Sequence, residues 1–96
     1  MSKYIMLLNW TEQGIKAIKN SGARYDAAKA AAKEMGVTFE SVYMTFGQYD
    51  QVIVADAPSD EAIATLMLKS AALGNVRGIT MKAFVEADYK KITAAV

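Results

Sequence analysis

The sequence predicts an α+β domain of order βαββαβ with a four-stranded antiparallel sheet, both long helices on one sheet face and a short C-terminal helix. Two patterns predict it. Short β-forming runs alternate with longer helical stretches. Each half of the chain also ends its helix at a glycine just ahead of a Val-led strand: Gly36-Val37, then Gly74-Asn75-Val76.

The first strand is the apolar run "KYIMLLN", residues 3–9, which reads as buried on both faces and ends at Asn9 and Trp10. Thr11 is placed to cap a helical turn through "EQGIKAIKN", and Ser21 to cap the helix "GARYDAAKAAAKEM", which Gly36 ends. The small side chains of Ala27, Ala28, Ala31 and Ala32 are expected to seat that helix on the sheet, with Arg24, Lys29, Lys33 and Glu34 in solvent.

"VTFESVYMT", residues 37–45, is the second strand. Regular alternation would put Phe39 and Tyr43 on one face, with Val42 and Met44 on the other. A turn at Gly47 leads into the third strand, "QVIVADA", which Pro58 closes. Ser59 then caps a helix whose first turn carries Asp60 and Glu61, favourable to the helix dipole. Its expected buried stripe is Ile63, Leu66, Met67 and Leu73, with Gly74 as the stop. "NVRGITMKAFV" is the fourth strand, where Gly78 marks a bulge or a close backbone approach. "EADYKKI" forms the terminal helix, with Glu86 and Lys90 paired at i,i+4.

This is the split-βαβ, ferredoxin-like plan. Right-handed crossovers place the first and third strands at the centre, and the more alternating second and fourth at the edges. The helices cover one face, yet the strands are apolar on both. A lone copy would expose a patch larger than monomers normally carry, so a sheet-to-sheet homodimer or higher homo-oligomer is expected.

Composition narrows the chemistry. At 96 residues the chain fits a single domain, residues 1–96, and its 53% hydrophobic content suffices for a core. The formal charge of +1 provides no broad field for nucleic acid or an anionic membrane. With no Cys and no His, there is no thiolate nucleophile, zinc-thiolate site, imidazole base or His-ligated metal, and no cofactor or metal is expected. The first ten residues, "MSKYIMLLNW", are too short in apolar content for a signal peptide, and no run approaches membrane-span length, so a cytoplasmic protein is the default expectation.

Three stretches can carry function. In "FGQYD" Gly47 supplies a positive φ, Tyr49 covers the sheet end and Asp50 accepts backbone N–H groups across the turn. As a ligand site, the same turn would offer backbone N–H groups to an anion, the Tyr49 hydroxyl and an amine contact at Asp50. In "LGNVRG", Gly74 and Asn75 form a helix stop and turn, and Arg77 is either a surface ion-pair partner or a planar fork for a carboxylate. Trp10 either shields the core edge or walls a pocket at the sheet end.

The stretches "KYIMLLNWTEQGIK", "RYDAAKAAAKEMG", "YMTFGQYDQVIVADAPSDEAIA" and "LGNVRGITMKAFVEADYKKI" together resemble the GYD domain family, named for its Gly-Tyr-Asp signature, over nearly the whole chain. The resemblance implies a ferredoxin-like, dimeric α+β-barrel type of fold, occurrence in bacteria, and no established function. The signature usually reads Gly-acidic-Tyr-Asp, and here Gln48 replaces the acidic residue. The turn also resembles that of effector-binding domains in leucine-responsive-type regulators, which bind small effectors at subunit interfaces. Their DNA-binding helix-turn-helix has no counterpart in this sequence.

Relatives of dimeric α+β-barrel type include cofactor-free oxygenases, isomerases and haem enzymes. A catalytic reading would use Asp50, Asp56 or a carboxylate of the acidic helix start (Asp60, Glu61) as base, and Tyr43 or Tyr49 as acid. No pair stands at a spacing that singles it out. The leading expectation is a non-catalytic, self-associating small-molecule-binding or assembly module, with Gly47, Tyr49, Asp50, Arg77 and Trp10 as candidate ligand contacts. The alternatives are a cofactor-free enzyme and a purely structural ring- or filament-former.

Overall fold

The computed structural model describes residues 1–96. In chain order the elements are β1 (Ser2–Trp10), α1 (Glu12–Lys16), a 3-10 turn (Ile18–Asn20), α2 (Ser21–Glu34), β2 (Thr38–Met44), β3 (Gln51–Ala57), α3 (Asp60–Ala72), β4 (Val76–Ala83) and α4 (Glu86–Ala94). The strands form one antiparallel sheet of order β2-β3-β1-β4, so the predicted central and edge strands hold their places.

The core lies between one sheet face and the two long helices. Tyr4, Met6 and Leu8 of β1, Ile53 and Ala55 of β3, and Phe39 of β2 are buried against Ala32 of α2 and Ile63 and Leu66 of α3. Local chemistry sets the helix ends. Thr11 Oγ1 accepts from Gly14 N at 3.1 Å, and Ser59 Oγ from Ala62 N at 3.1 Å, each satisfying an otherwise orphaned donor. Gly36 and Gly74, with φ of 79° and 84°, turn the chain out of α2 and α3. Gly78 is a close approach and not a bulge. The β1–β4 register runs through it unbroken, and a Cβ there would lie 2.0 Å from the Leu7 carbonyl oxygen.

Several expectations need correction. β2 carries an irregularity between Phe39 and Ser41 that leaves Glu40 unpaired. That extra residue reverses the alternation, so Val42 follows Phe39 onto the helix side, while Ser41 and Tyr43 face the other way. In α2, Tyr25, Ala28 and Ala32 face the sheet, whereas Ala27 and Ala31 are exposed. Ser21 makes no cap, because the 3-10 turn runs directly into α2. Leu73 lies past the end of α3 and is exposed. Within one chain β1 is covered on one face alone: Tyr4, Met6 and Leu8 are buried, and Ile5 and Leu7 are half-buried.

Candidate functional site

Three features sit where function is expected: the open sheet face, the β2–β3 turn, and a cleft under the helices.

The open face follows from register. Tyr43, Val52, Leu7 and Ile79 form one row across the four strands, and Ser41, Val54, Ile5 and Met81 the next. No helix covers them, and Tyr43, Ile79 and Met81 remain 61%, 47% and 42% exposed. Polar residues flank this apolar band. At one end the Lys3 ammonium pairs with Glu40 and, at 3.3 Å, with Asp56. The unpaired bulge residue thus supplies one carboxylate of this cluster. Its hydrogen bond to Glu40, with further help from Asp56, raises the Lys3 pKa against the opposing effect of desolvation. Asn9 and Arg77 stand opposite one another at the other end.

α4 adds further unpartnered apolar surface. It buries none of its residues, and Phe84, Tyr89 and Ile92 line a shallow hollow beside it. Its Glu86–Lys90 pair forms at 3.5 Å.

The β2–β3 turn is tied together through its polar residues. Gly47 has φ 114°, a region that L side chains rarely adopt, and no neighbouring group lies within 4 Å of where a Cβ would stand. Thr45 Oγ1 donates to the Tyr49 carbonyl at 2.5 Å, and Thr45 N to the Asp50 carbonyl at 2.8 Å. Asp50 also holds the turn to β1: its N–H donates to the Leu8 carbonyl at 2.9 Å, and its Oδ2 accepts from Trp10 N at 3.0 Å. Asp50 therefore makes the backbone contacts of the turn-fixing reading.

The five candidate contacts do not converge on one side of the sheet. Trp10 pairs with Val76 on the helix side, while Arg77, the next residue, belongs with Asn9 on the open side. Tyr49 is half-buried in the turn, and Gly47 and Gln48 are exposed. Of the five, Asp50 and Trp10 are joined directly.

Trp10 does wall a pocket. A cleft of about 80 Å³ opens between the sheet and the two long helices. Its floor is Met6, Leu8 and Ile53; Tyr25 and Ala28 of α2 and Met67 of α3 form its sides. The polar groups on its lining include Arg24, Gln51 and Ser70. Tyr25 stacks on Phe39 with centroids 5.9 Å apart, and desolvation is the main cause of its raised pKa.

The sequence places Arg24 in solvent with Lys29, Lys33 and Glu34; those three are exposed, but Arg24 is half-buried because its guanidinium is drawn onto the Ala17 and Gly14 carbonyls. Another unanticipated contact joins the Tyr4 hydroxyl to Asp60, which also lies 3.5 Å from Lys82. The hydrogen bond from Tyr4, then the positive charge of Lys82, hold the Asp60 carboxyl below its ordinary range. No group of three or more acidic side chains comes together that could hold a metal ion.

The sequence profile of the GYD domain family matches residues 4–93. A Thermus thermophilus protein described as "Glutamine synthetase and cystathionine beta-lyase binding protein" is 29% identical over 92% of this chain and 94% of its own length. A crystal structure from the same organism superposes with a TM-score of 0.56 at 23% identity, covering 88% of this chain and 94% of that one. That likeness supports the fold alone.

Proposed function

The chain belongs to the GYD domain family, and from that premise we propose that it is a non-catalytic binding module that self-associates through its open sheet face and engages other proteins. The observation that carries this reading is the apolar band of Ile5, Leu7, Val52, Val54, Ile79 and Met81, left uncovered on the side away from the helices.

Fully burying such side chains stabilises by about 1.5–3 kcal/mol each. Ile5, Leu7, Val52 and Val54 are already half-buried, so each gains a part of that, and the band from both copies together is set against an association cost on the order of 4–15 kcal/mol. In an isologous contact the same band meets itself, so one apolar face covers two copies. The Lys3–Asp56–Glu40 cluster and Arg77 would then lie at the rim, where charged groups set orientation.

The T. thermophilus relative is named for binding two enzymes, which supports protein partners for this chain. The chemistry favours binding over catalysis as well. Asp50 accepts from the Trp10 backbone N–H and Asp56 pairs with Lys3, so each of these candidate bases already holds a partner within the chain.

Sedimentation velocity at micromolar concentration tests both parts. The chain alone should run as a dimer or larger. Mixed with purified glutamine synthetase or cystathionine β-lyase from the same cells, it should co-sediment with at least one. A monomer that travels with neither contradicts the proposal.

A further inference from the structure

The cleft beneath the helices has a composition that the binding-module reading leaves unused. Its floor and sides are apolar, formed by Met6, Leu8, Ile53, Ala28 and Met67. Two of these are methionines, whose unbranched side chains adapt to the shape of a guest. Arg24 stands on the lining and belongs to none of the chain's ion pairs.

The guanidinium is held in place by backbone acceptors. Arg24 Nη1 donates to the Ala17 carbonyl at 2.8 Å and Nη2 to the Gly14 carbonyl at 3.3 Å. Gly14 in turn is fixed by Thr11, and a Cβ at Gly14 would lie 2.2 Å from the Asn75 carbonyl oxygen. The side chain is therefore set on a rigid corner, with further N–H donors left over and no carboxylate to meet them. Gln51 and Ser70 add neutral polar groups to the lining.

We propose that this cleft binds a short aliphatic monocarboxylate, its tail against Met6, Leu8 and Met67 and its carboxylate on Arg24. Charge chooses the head group, because an unpaired, pre-positioned guanidinium beside an apolar wall is complementary to an amphiphilic anion. Volume chooses the tail. At about 80 Å³ the space is roughly half that of an apolar cavity known to accept a benzene ring, about 150 Å³. Three or four carbons, as an order of magnitude from that comparison, fill it.

Trp10, whose backbone is held by Asp50, also lines the cleft. Occupancy would therefore be felt at the family's signature turn through one hydrogen bond. A small metabolite acid would thus be sensed by the same module that contacts proteins.

The test is a titration of the full chain with butyrate, butyramide and butylamine, followed by ¹H–¹⁵N and methionine-methyl NMR. Butyrate should give saturable shifts at the Met6 and Met67 methyls and at the Trp10 amide. Butyramide should bind at least about tenfold more weakly, since the guanidinium then meets a neutral carbonyl in place of a carboxylate anion, and butylamine should not bind. Ser70→Leu should block the cleft and abolish the butyrate shifts in a chain that remains folded by circular dichroism. If that variant fails to fold, the wild-type comparison of acid with amide still decides. Equal affinity for butyrate and butyramide, saturable shifts confined to other residues, or no saturable shift with butyrate would each overturn the proposal.

Discussion

The Trp10 backbone N–H donates to Asp50 Oδ2 at 3.0 Å, while the Asp50 N–H donates to the Leu8 carbonyl at 2.9 Å. The two bonds clasp the end of β1 from the start of β3. They explain why an aspartate directly follows the turn: its carboxylate reaches across to a backbone donor at the end of the neighbouring strand. Asp50→Ala should cost about 1–3 kcal/mol, because a part-buried N–H loses its partner. Asp50→Asn retains an acceptor oxygen and should lose less. Urea denaturation of the two variants gives the comparison, and equal losses would remove the hydrogen bond from the explanation.

Glycines that look alike in sequence differ sharply in structure. Gly78→Ala places a Cβ 2.0 Å from the Leu7 carbonyl oxygen in the middle of the β1–β4 ladder. Strand separation is required, so a loss of roughly 3 kcal/mol or more is expected, in the class of severe packing changes. Gly22, in α2, has no atom within 4 Å of the new methyl. Gly22→Ala should therefore stabilise by about 0.5–1 kcal/mol through helix propensity. Thermal denaturation of the pair checks the opposite signs.

The Tyr4–Asp60 contact predicts a pH dependence at both ends. The carboxyl of Asp60 is depressed in the folded chain from its ordinary value of 3.8, so its contribution is present above that pH and is lost as the pH falls through the folded value. The Tyr4 hydroxyl is raised from 10.0 by its bond to Asp60 and by desolvation. Its contribution is complete below 10.0 and is lost as the pH rises through the folded value. Tyr4→Phe should reduce the alkaline limb, to which Tyr25 and Lys3 also contribute, and flatten the acid limb of the stability profile. An unchanged profile in equilibrium denaturation would show that the pair is not coupled to folding.

Thr80 carries a buried hydroxyl with no hydrogen-bond partner, on the strand position opposite Met6. Thr80→Val keeps the branched shape and removes the unsatisfied group. Stability should stay level or rise by about 1 kcal/mol. A loss beyond about 1 kcal/mol by urea denaturation would mean that the hydroxyl is satisfied in solution, with the cost of breaking that bond as the measure.

Much of the architecture was legible because it is written in local chemistry. Thr11 and Ser59 announce helix starts by their own side chains, and Gly36 and Gly74 announce stops by their backbone freedom. The open face was legible too, since Ile5 and Leu7 had no second helix layer to meet. What escaped depends on contacts between distant segments. The β2 irregularity at Glu40 is stabilised by Lys3 from another strand, so the alternation of Phe39, Val42 and Tyr43 misled. Leu73 has the helical spacing of a core residue, but the turn is captured first: Gln13 Nε2 donates to its carbonyl at 2.9 Å and Thr11 Oγ1 to that of Gly74 at 2.5 Å. The cleft likewise joins β1, α2 and α3, and Arg24 acquires its character from the carbonyls of Gly14 and Ala17. Trp10 was the one residue whose type and position pointed there.

Self-association through the open sheet face is tested most directly by sedimentation equilibrium of the wild-type chain beside Leu7→Lys. Leu7 sits at the centre of that face, between Val52 and Ile79, and takes no part in the buried core. The wild type should be a dimer or larger at micromolar concentration. Leu7→Lys should remain folded and shift to monomer, with at least about a hundredfold weaker association from burying an unpaired charge. A wild-type monomer, or a folded Leu7→Lys that associates as tightly as the wild type, would contradict assembly through this face.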